Sequence, residues 1–232
     1  LIFDKKKVSV SQSCATANSA AELVSHSDIV ILGVKPQNLG EISEELSRCD
    51  LRRITIVSIL AGTSLRAIQK VLGPKTKIIR AMPNLGILAG AGATALCKNR
   101  YVSKADMALA TQMFSCSGVV VEVPENKIDV VTAVSGSGPA YYFYLTELLI
   151  SAGRRSGLTK TVSEKLAKQT ALGASRLMSE KGITPEKWRE KVTSPGGTTE
   201  AAFKVLLKDP FRSTFMDAIQ NAIEQAEELS RL

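Results

Sequence analysis

Val192-Thr193-Ser194-Pro195-Gly196-Gly197-Thr198-Thr199-Glu200 is the stretch of this sequence best equipped for chemistry. Two adjacent glycines let the backbone turn sharply, and a helix over residues 199–208 is predicted to begin beside them. A helix start presents unpaired N–H groups and partial positive charge, so such a loop can hold a carboxylate or phosphate without a basic side chain. Ser194 and Thr199 add hydroxyls on either side. The same composition also builds an ordinary capped turn, and both readings stand at this point.

Three other segments combine small residues with a polar group at the end of an apolar run. Gly33-Val34-Lys35-Pro36-Gln37 follows Ile29-Val30-Ile31-Leu32, and Ala61-Gly62-Thr63 follows the run at 54–59. Arg80-Ala81-Met82-Pro83-Asn84 follows Lys77-Ile78-Ile79. Small residues there let a flat cofactor lie against the backbone, and Lys35 can neutralise a phosphate or stabilise a turn. Asn84 offers a donor and an acceptor for a substrate or a nicotinamide, or serves simply as a turn residue. Together with the glycine loop, these features point to hydride transfer from a nicotinamide to a small carboxylate-bearing molecule. That chemistry needs position and a polarised acceptor more than a strong acid. A Thr199 hydroxyl bonded to a protonated imine nitrogen would serve.

The elements that must position these groups follow from periodicity. Continuous β-branched runs at 29–32, 54–59, 77–80, 93–96 and 119–123 read as buried strands. Helix-length stretches at 41–47 and 64–72 separate the first of them, the pattern of βαβ units and a parallel sheet. In such a sheet ligands bind outside the carboxyl ends of the strands. Beyond Pro124 the pattern becomes helical. An apolar helix is predicted over 140–152, Thr184-Pro185 has the form of a helix cap, and 3–4 spacing continues from Phe215 to Leu229. The fold class expected is therefore α/β plus all-α: a Rossmann-like domain over 1–124 and a helical domain over 125–232. The 140–152 helix is hydrophobic around most of its circumference, so it needs burial all round, and a second copy of the chain is the expected cover.

Composition removes other classes. The chain has 232 residues, 44% of them apolar, which suits a folded chain rather than a disordered one. The apolar stretch at 85–97 holds three glycines and falls short of the roughly 20 residues a bilayer requires. No secretory signal is read at the start, and a soluble, cytoplasmic protein is expected. Cys14, Cys49, Cys97 and Cys116 form no Cys-x-x-Cys pair, and His26 is the single histidine, so neither a zinc site nor a disulfide framework is expected. His26 lies in Ser25-His26-Ser27-Asp28 and reads as a surface-loop residue rather than a hydrolase base. The net charge of +8 is spread along the chain apart from Lys5-Lys6-Lys7, and only 5% of residues are aromatic, so no nucleic-acid platform is present. The lysine run is read as a solvated face, with a phosphate contact as its alternative.

Taken in order, the three strand-end segments, Ser135-Gly136-Ser137-Gly138-Pro139-Ala140-Tyr141 and the stretch from Val192 to Thr199 resemble pyrroline-5-carboxylate reductase. The resemblance runs from about Asn18 onward, and the last segment is the most specific. It implies reduction of 1-pyrroline-5-carboxylate to proline with NADPH or NADH. It also implies that Asn18, Gly33, Val34, Lys35, Pro36, Ala61, Gly62, Met82 and Asn84 lie on the cofactor side. Ser194, Gly196, Gly197, Thr198 and Thr199, again with Asn84, are implied on the substrate side, with Thr199 facing the ring nitrogen. Interlocked dimers, in some members assembled into decamers, are implied as well. A non-catalytic oligomerising homologue, or a reductase of another small imino or keto acid, is the alternative.

Three features depart from the family's pattern. No Gly-x-Gly-x-x-Gly turn is found, as if the sequence began near the family's second strand or the turn had been lost. Met82-Pro83-Asn84 is followed by Leu85-Gly86 rather than Thr-Pro. Lys191 stands where an apolar or amide residue is common.

Overall fold

The computed structural model describes residues 1–4, 14–180, 182–208 and 210–231; Lys5-Lys6-Lys7 lies outside them. Five strands form one sheet: β1 (Ile29–Leu32), β2 (Thr55–Ser58), β3 (Lys77–Met82), β4 (Gly92–Lys98) and β5 (Gly118–Glu122). Their spatial order follows the chain, β1-β2-β3-β4-β5. Helices α1 (Ala20–Ser25), α2 (Leu39–Leu46), α3 (Leu65–Leu72) and α4 (Lys104–Ser115) accompany them, and α5 (Ile128–Val131) runs into a π turn at Thr132–Gly136. The remaining helices are α6 (Gly138–Arg155), α7 (Lys160–Met178), α8 (Pro185–Lys191), α9 (Thr198–Leu206) and α10 (Phe211–Arg231).

The strands alternate their side chains between two cores. Val30, Leu32, Ile56, Ile78 and Ala95 pack with α1, α2, α3 and the fully buried Ile128. Val57, Ile79, Ala81 and Leu96 pack with Met107 and Ala110 of α4 on the other face. This two-sided burial explains why the strands read as unbroken apolar runs. The sheet departs from the expected parallel arrangement at one place. β1, β2 and β3 are parallel, as are β4 and β5, but β3 and β4 pair antiparallel. Only a short 3-10 turn, Leu85–Ala89, joins them, and a parallel return needs a crossover of a dozen residues or more.

The chain divides into two compact units: Leu1–Ser137 with Ala222–Leu232, and Gly138–Asn221. The division falls beyond Pro124, the boundary drawn from composition, because Ile128 and Ala133 are both fully buried and Ile128 belongs to the sheet core. In the second unit α6 lies close against α7. A Cβ on Gly153 would come within 2.9 Å of Ser163 Oγ, so glycine there sets the helix separation. In the single chain α6 is not buried all round. Tyr142, Phe143, Tyr144, Leu145, Leu148 and Leu149 are all exposed, and Gly138 is its one buried residue. The expected cap at Thr184 is present, with Thr184 Oγ1 accepting from Lys187 N–H and Pro185 opening α8.

At the start of α4, Ser103 and Asp106 form a reciprocal capping box. Ser103 N–H and Oγ donate to Asp106 Oδ2 at 2.9 and 2.6 Å, and Lys77 Nζ lies 3.2 Å from the same oxygen. Burial pushes the Asp106 carboxyl up, but the bonds from Ser103 and Lys77 outweigh it and lower it to about 2. A carboxyl held below its unfolded value stabilises the fold above pH ~4, and that contribution fades as pH falls toward ~2. Asp106→Ala should therefore cost about 1–2 kcal/mol at neutral pH. In urea unfolding, the gap between wild type and variant should narrow as pH falls from ~4 toward ~2.

Candidate functional site

The carboxyl ends of β1, β2 and β3 lie side by side because their register is in step: Leu32 pairs with Ser58, and Ser58 with Arg80. The segments that leave these ends are those singled out by residue type. Gly33, Lys35 and Pro36 are exposed, with Val34 half-buried, ahead of the 3-10 turn Pro36–Asn38. A Cβ on Gly33 would meet only Ile59 Cδ1, at 3.8 Å, so the glycine leaves open surface. Ala61 is exposed, and Gly62 adopts φ +66°, a conformation that glycine takes without strain. Met82 is half-buried, its Cε lying where a Cβ on Gly136 would fall. Asn18 is exposed ahead of α1, and its N–H and Nδ2 donate to Glu22 Oε2 at 2.7 and 3.1 Å. These bonds hold the Glu22 carboxyl below its ordinary value.

Asn84 is differently employed than its residue type alone indicates. Its Oδ1 accepts from Gly86 N–H and Ala93 N–H, each at 3.1 Å. Its Nδ2 donates to Ser135 O at 3.2 Å and to Ser135 Oγ at 3.4 Å. Both acceptor positions and both donors are thus spent on tying the β3–β4 connection to the π turn. These bonds make Asn84 a structural tie, the turn role that its residue type also allowed. Gly86, the departure after Asn84, fits the same knot: a Cβ there would lie 2.6 Å from Ala91 O.

In the second unit, the loop between α8 and α9 turns at Gly196, φ +72°. Gly197 is the N-cap of α9, and no side chain caps the helix. Ser19, Ser64, Ser103, Thr159 and Thr184 each cap their own helices with a hydroxyl. Gly197 N–H donates to Ser194 O at 3.0 Å, and Gly196 N–H donates to Glu200 Oε2 at 2.8 Å. Lys204 Nζ, 3.6 Å away, partly neutralises that carboxylate. Among the described residues, no acceptor meets the N–H groups of Thr198, Thr199 and Glu200. The two glycines therefore divide the work: Gly196 is committed to the turn, and Gly197 leaves the helix start bare. Ser194 and Thr198 are exposed and Thr199 half-buried. Lys191, a departure beside the loop, sets its ammonium 4.5 Å from the centre of the Trp188 ring.

Other reactive groups lie elsewhere. His26 is exposed at the end of α1, with Nδ1 3.0 Å from both Ser25 Oγ and Glu22 O. Cys97 is buried, and burial followed by the charge of Glu125 pushes its thiol up to about 11. No cluster of three metal-binding side chains occurs among the described residues.

Residues 125–229 match the family model described as pyrroline-5-carboxylate reductase dimerisation, and residues 4–62 match that of NADP oxidoreductase, coenzyme F420-dependent. Pyrroline-5-carboxylate reductase of Synechocystis is 44% identical over 210 residues, 90% of this chain and 78% of the relative. The chain belongs to the pyrroline-5-carboxylate reductase family. It is thereby an oxidoreductase with a Rossmann-like sheet and a helical dimerisation region, as the ordered motifs led one to expect. The solved structure of the Plasmodium falciparum enzyme with NADP bound superposes with a TM-score of 0.87 at 29% identity, covering 98% of this chain and 86% of that one. The Coxiella burnetii reductase gives 0.85 at 38% identity, covering 94% and 82%.

Sequence reasoning missed Arg80 as a structural centre. A charged residue between Ile79 and Ala81, inside a run otherwise apolar, was the available signal. It also missed the bonds of Asn84, whose partner Ser135 is distant in sequence. Asn84→Ala should cost about 2–3 kcal/mol, since two backbone N–H groups lose their acceptor. Asn84→Asp, which keeps the acceptor, should cost less. Equal losses for the two variants in chemical denaturation would contradict this division.

Proposed function

We propose that this chain reduces 1-pyrroline-5-carboxylate to L-proline by hydride transfer from NADPH or NADH. The observation that carries the reading is the bare start of α9 within the family's most specific segment. The substrate carboxylate accepts from the N–H groups of Thr198, Thr199 and Glu200, aided by the helix dipole and the Ser194 hydroxyl. Thr199 Oγ hydrogen-bonds the ring nitrogen and fixes the imine carbon in one orientation. The imine is already electrophilic once protonated, so position supplies most of the catalysis.

A reduced nicotinamide supplies the hydride. The residues that would hold the dinucleotide are Gly33, Val34, Lys35 and Pro36 after β1, Ala61 and Gly62 after β2, and Met82 at the end of β3, with Asn18 ahead of α1. The fit rests on the exposed surface at Gly33 and Ala61 and on the in-step ends of three parallel strands. Asn84 holds this edge in shape. We assign residues 1–124 to the dinucleotide and 125–232, nearly coextensive with the matched dimerisation model, to the substrate and to dimerisation, with the two ends of the latter, 125–137 and 222–232, packing in the first unit and bracing the dinucleotide surface.

A second copy of the chain covers the aromatic and leucine face of α6, and further assembly into a decamer belongs to the same proposal. We place the protein in the cytoplasm; no helix among the described residues is long and apolar enough to cross a membrane.

The reading is tested with full-length protein, 1-pyrroline-5-carboxylate and NADPH, following loss of the reduced-nicotinamide absorbance. Saturable turnover is expected, and none would contradict the proposal. Thr199→Val should lower kcat by on the order of tenfold to a hundredfold, with the Kd for NADPH changed less than about twofold. Equal losses in both quantities would remove the substrate-side role of Thr199.

A further inference from the structure

Arg80 is 3% exposed in the middle of β3, between residues that are almost wholly buried. Its Nη1 lies 3.8 Å from Glu125 Oε1 and its Nη2 3.5 Å from Asp129 Oδ1. Each carboxylate holds something else. Glu125 Oε1 accepts from the N–H of Leu65, the first residue of α3, at 2.6 Å. Asp129 Oδ1 accepts from Ser230 Oγ, in the last turn of α10, at 2.8 Å. One guanidinium thus joins β3, the start of α3, α5 and the end of α10, all within the first unit.

The last turn of α10 reaches the loop after β2. A Cβ on Gly62 would lie 2.9 Å from Leu229 Cβ and 3.1 Å from Leu229 O, so this turn packs directly on Gly62. Three residues further on, the same loop enters α3 at Leu65, where Glu125 holds it. The loop 61–64 is therefore held at its far end by Glu125, a partner of Arg80, and near its start by Leu229, whose neighbour Ser230 bonds the other partner, Asp129. The ion-pair distances are long for a fork-to-fork arginine–carboxylate pair, and a buried pair of that quality adds little net stability. What the arrangement does provide is a single geometry shared by four elements, β3, the start of α3, α5 and the end of α10.

We propose that Arg80, acting through Asp129 and Ser230, is a positioning residue for the dinucleotide: it sets where Ala61 and Gly62 stand and so sets affinity for the cofactor. The inference rests on the reading that this loop faces NADPH. The network lies within the first unit and the glycine loop that holds the substrate carboxylate in that reading lies within the second, so the effect is expected on one ligand.

Ser230→Ala is the decisive variant, because it removes a single hydroxyl and leaves the buried charges paired. Arg80→Lys is its companion, keeping the charge but losing the fork that reaches two acids. The measurements are NADPH Kd by nicotinamide fluorescence, KM for 1-pyrroline-5-carboxylate, kcat and melting temperature, on full-length protein. Ser230→Ala should raise the NADPH Kd about threefold to tenfold, with substrate KM and kcat within about twofold and melting little changed. Arg80→Lys should raise it further in the same direction. Wild-type binding with an unchanged Kd in Ser230→Ala would overturn the positioning role, whatever happens to melting. An equal rise in substrate KM would overturn its selectivity. Absence of NADPH binding by the wild type would overturn the reading on which the inference rests, and the inference with it.

Discussion

Every α-helix begins with N–H groups that have no partner in the helix, and the use made of them decides much of this protein's character. Among the described residues, five helices satisfy one of them with a serine or threonine hydroxyl from the residue before. At α9 the residue before is Gly197, which has nothing to offer. The carboxylate of Glu200, in the first turn of α9, reaches back to Gly196 N–H and steadies the loop. The helix start stays open at some cost in helix stability. An anion of the right size recovers that cost on binding, which is why a small acid can be held without a buried arginine or lysine.

The first unit solves a different problem, that of presenting a flat surface at the edge of a sheet. Three parallel strands lie in step, β1 and β2 ending level and β3 running two residues further to Met82, and the segments that leave them contain small or exposed residues. Such a surface is only as well defined as the segments are rigid. The side-chain bonds of Asn84 fix the segment after β3, and the ionic network of Arg80 with the Leu229 contact fixes the segment after β2. Arg80 therefore braces the surface from the buried side rather than forming part of it. The antiparallel turn between β3 and β4 belongs to the same arrangement, since it brings Ala93 N–H back to Asn84.

Much of this was legible in residue order. Runs such as Ile29-Val30-Ile31-Leu32 mark strands because burial on both faces removes the polar alternation, and Thr184-Pro185 marks a helix start through local stereochemistry. The glycine loop was legible as a helix entrance for the same local reason. Features that depend on partners far along the chain were not. Nothing in Ala93-Thr94-Ala95-Leu96 states its direction; the length of the connection before it does. Ile128 has the spacing of a helix in either unit, and only packing assigns it to the sheet core. Asn84 offers the same four hydrogen-bonding positions in a binding residue and in a knot, and the difference is made by Ser135. Gly196 and Gly197 are chemically identical, so their separate duties emerge only from φ and from the reach of Glu200. The apolar girth of α6 spoke correctly of a need for cover, but the cover is not supplied within one chain.

The central claim is that the open N–H groups at the start of α9 grip the acid group of the substrate. The most direct measurement is a crystal structure of the full-length protein with L-proline bound. The account predicts a proline carboxylate oxygen within about 3 Å of the backbone nitrogens of Thr198, Thr199 or Glu200, with the ring nitrogen facing Thr199 Oγ. Proline bound at another place, with these N–H groups meeting only water, would contradict it.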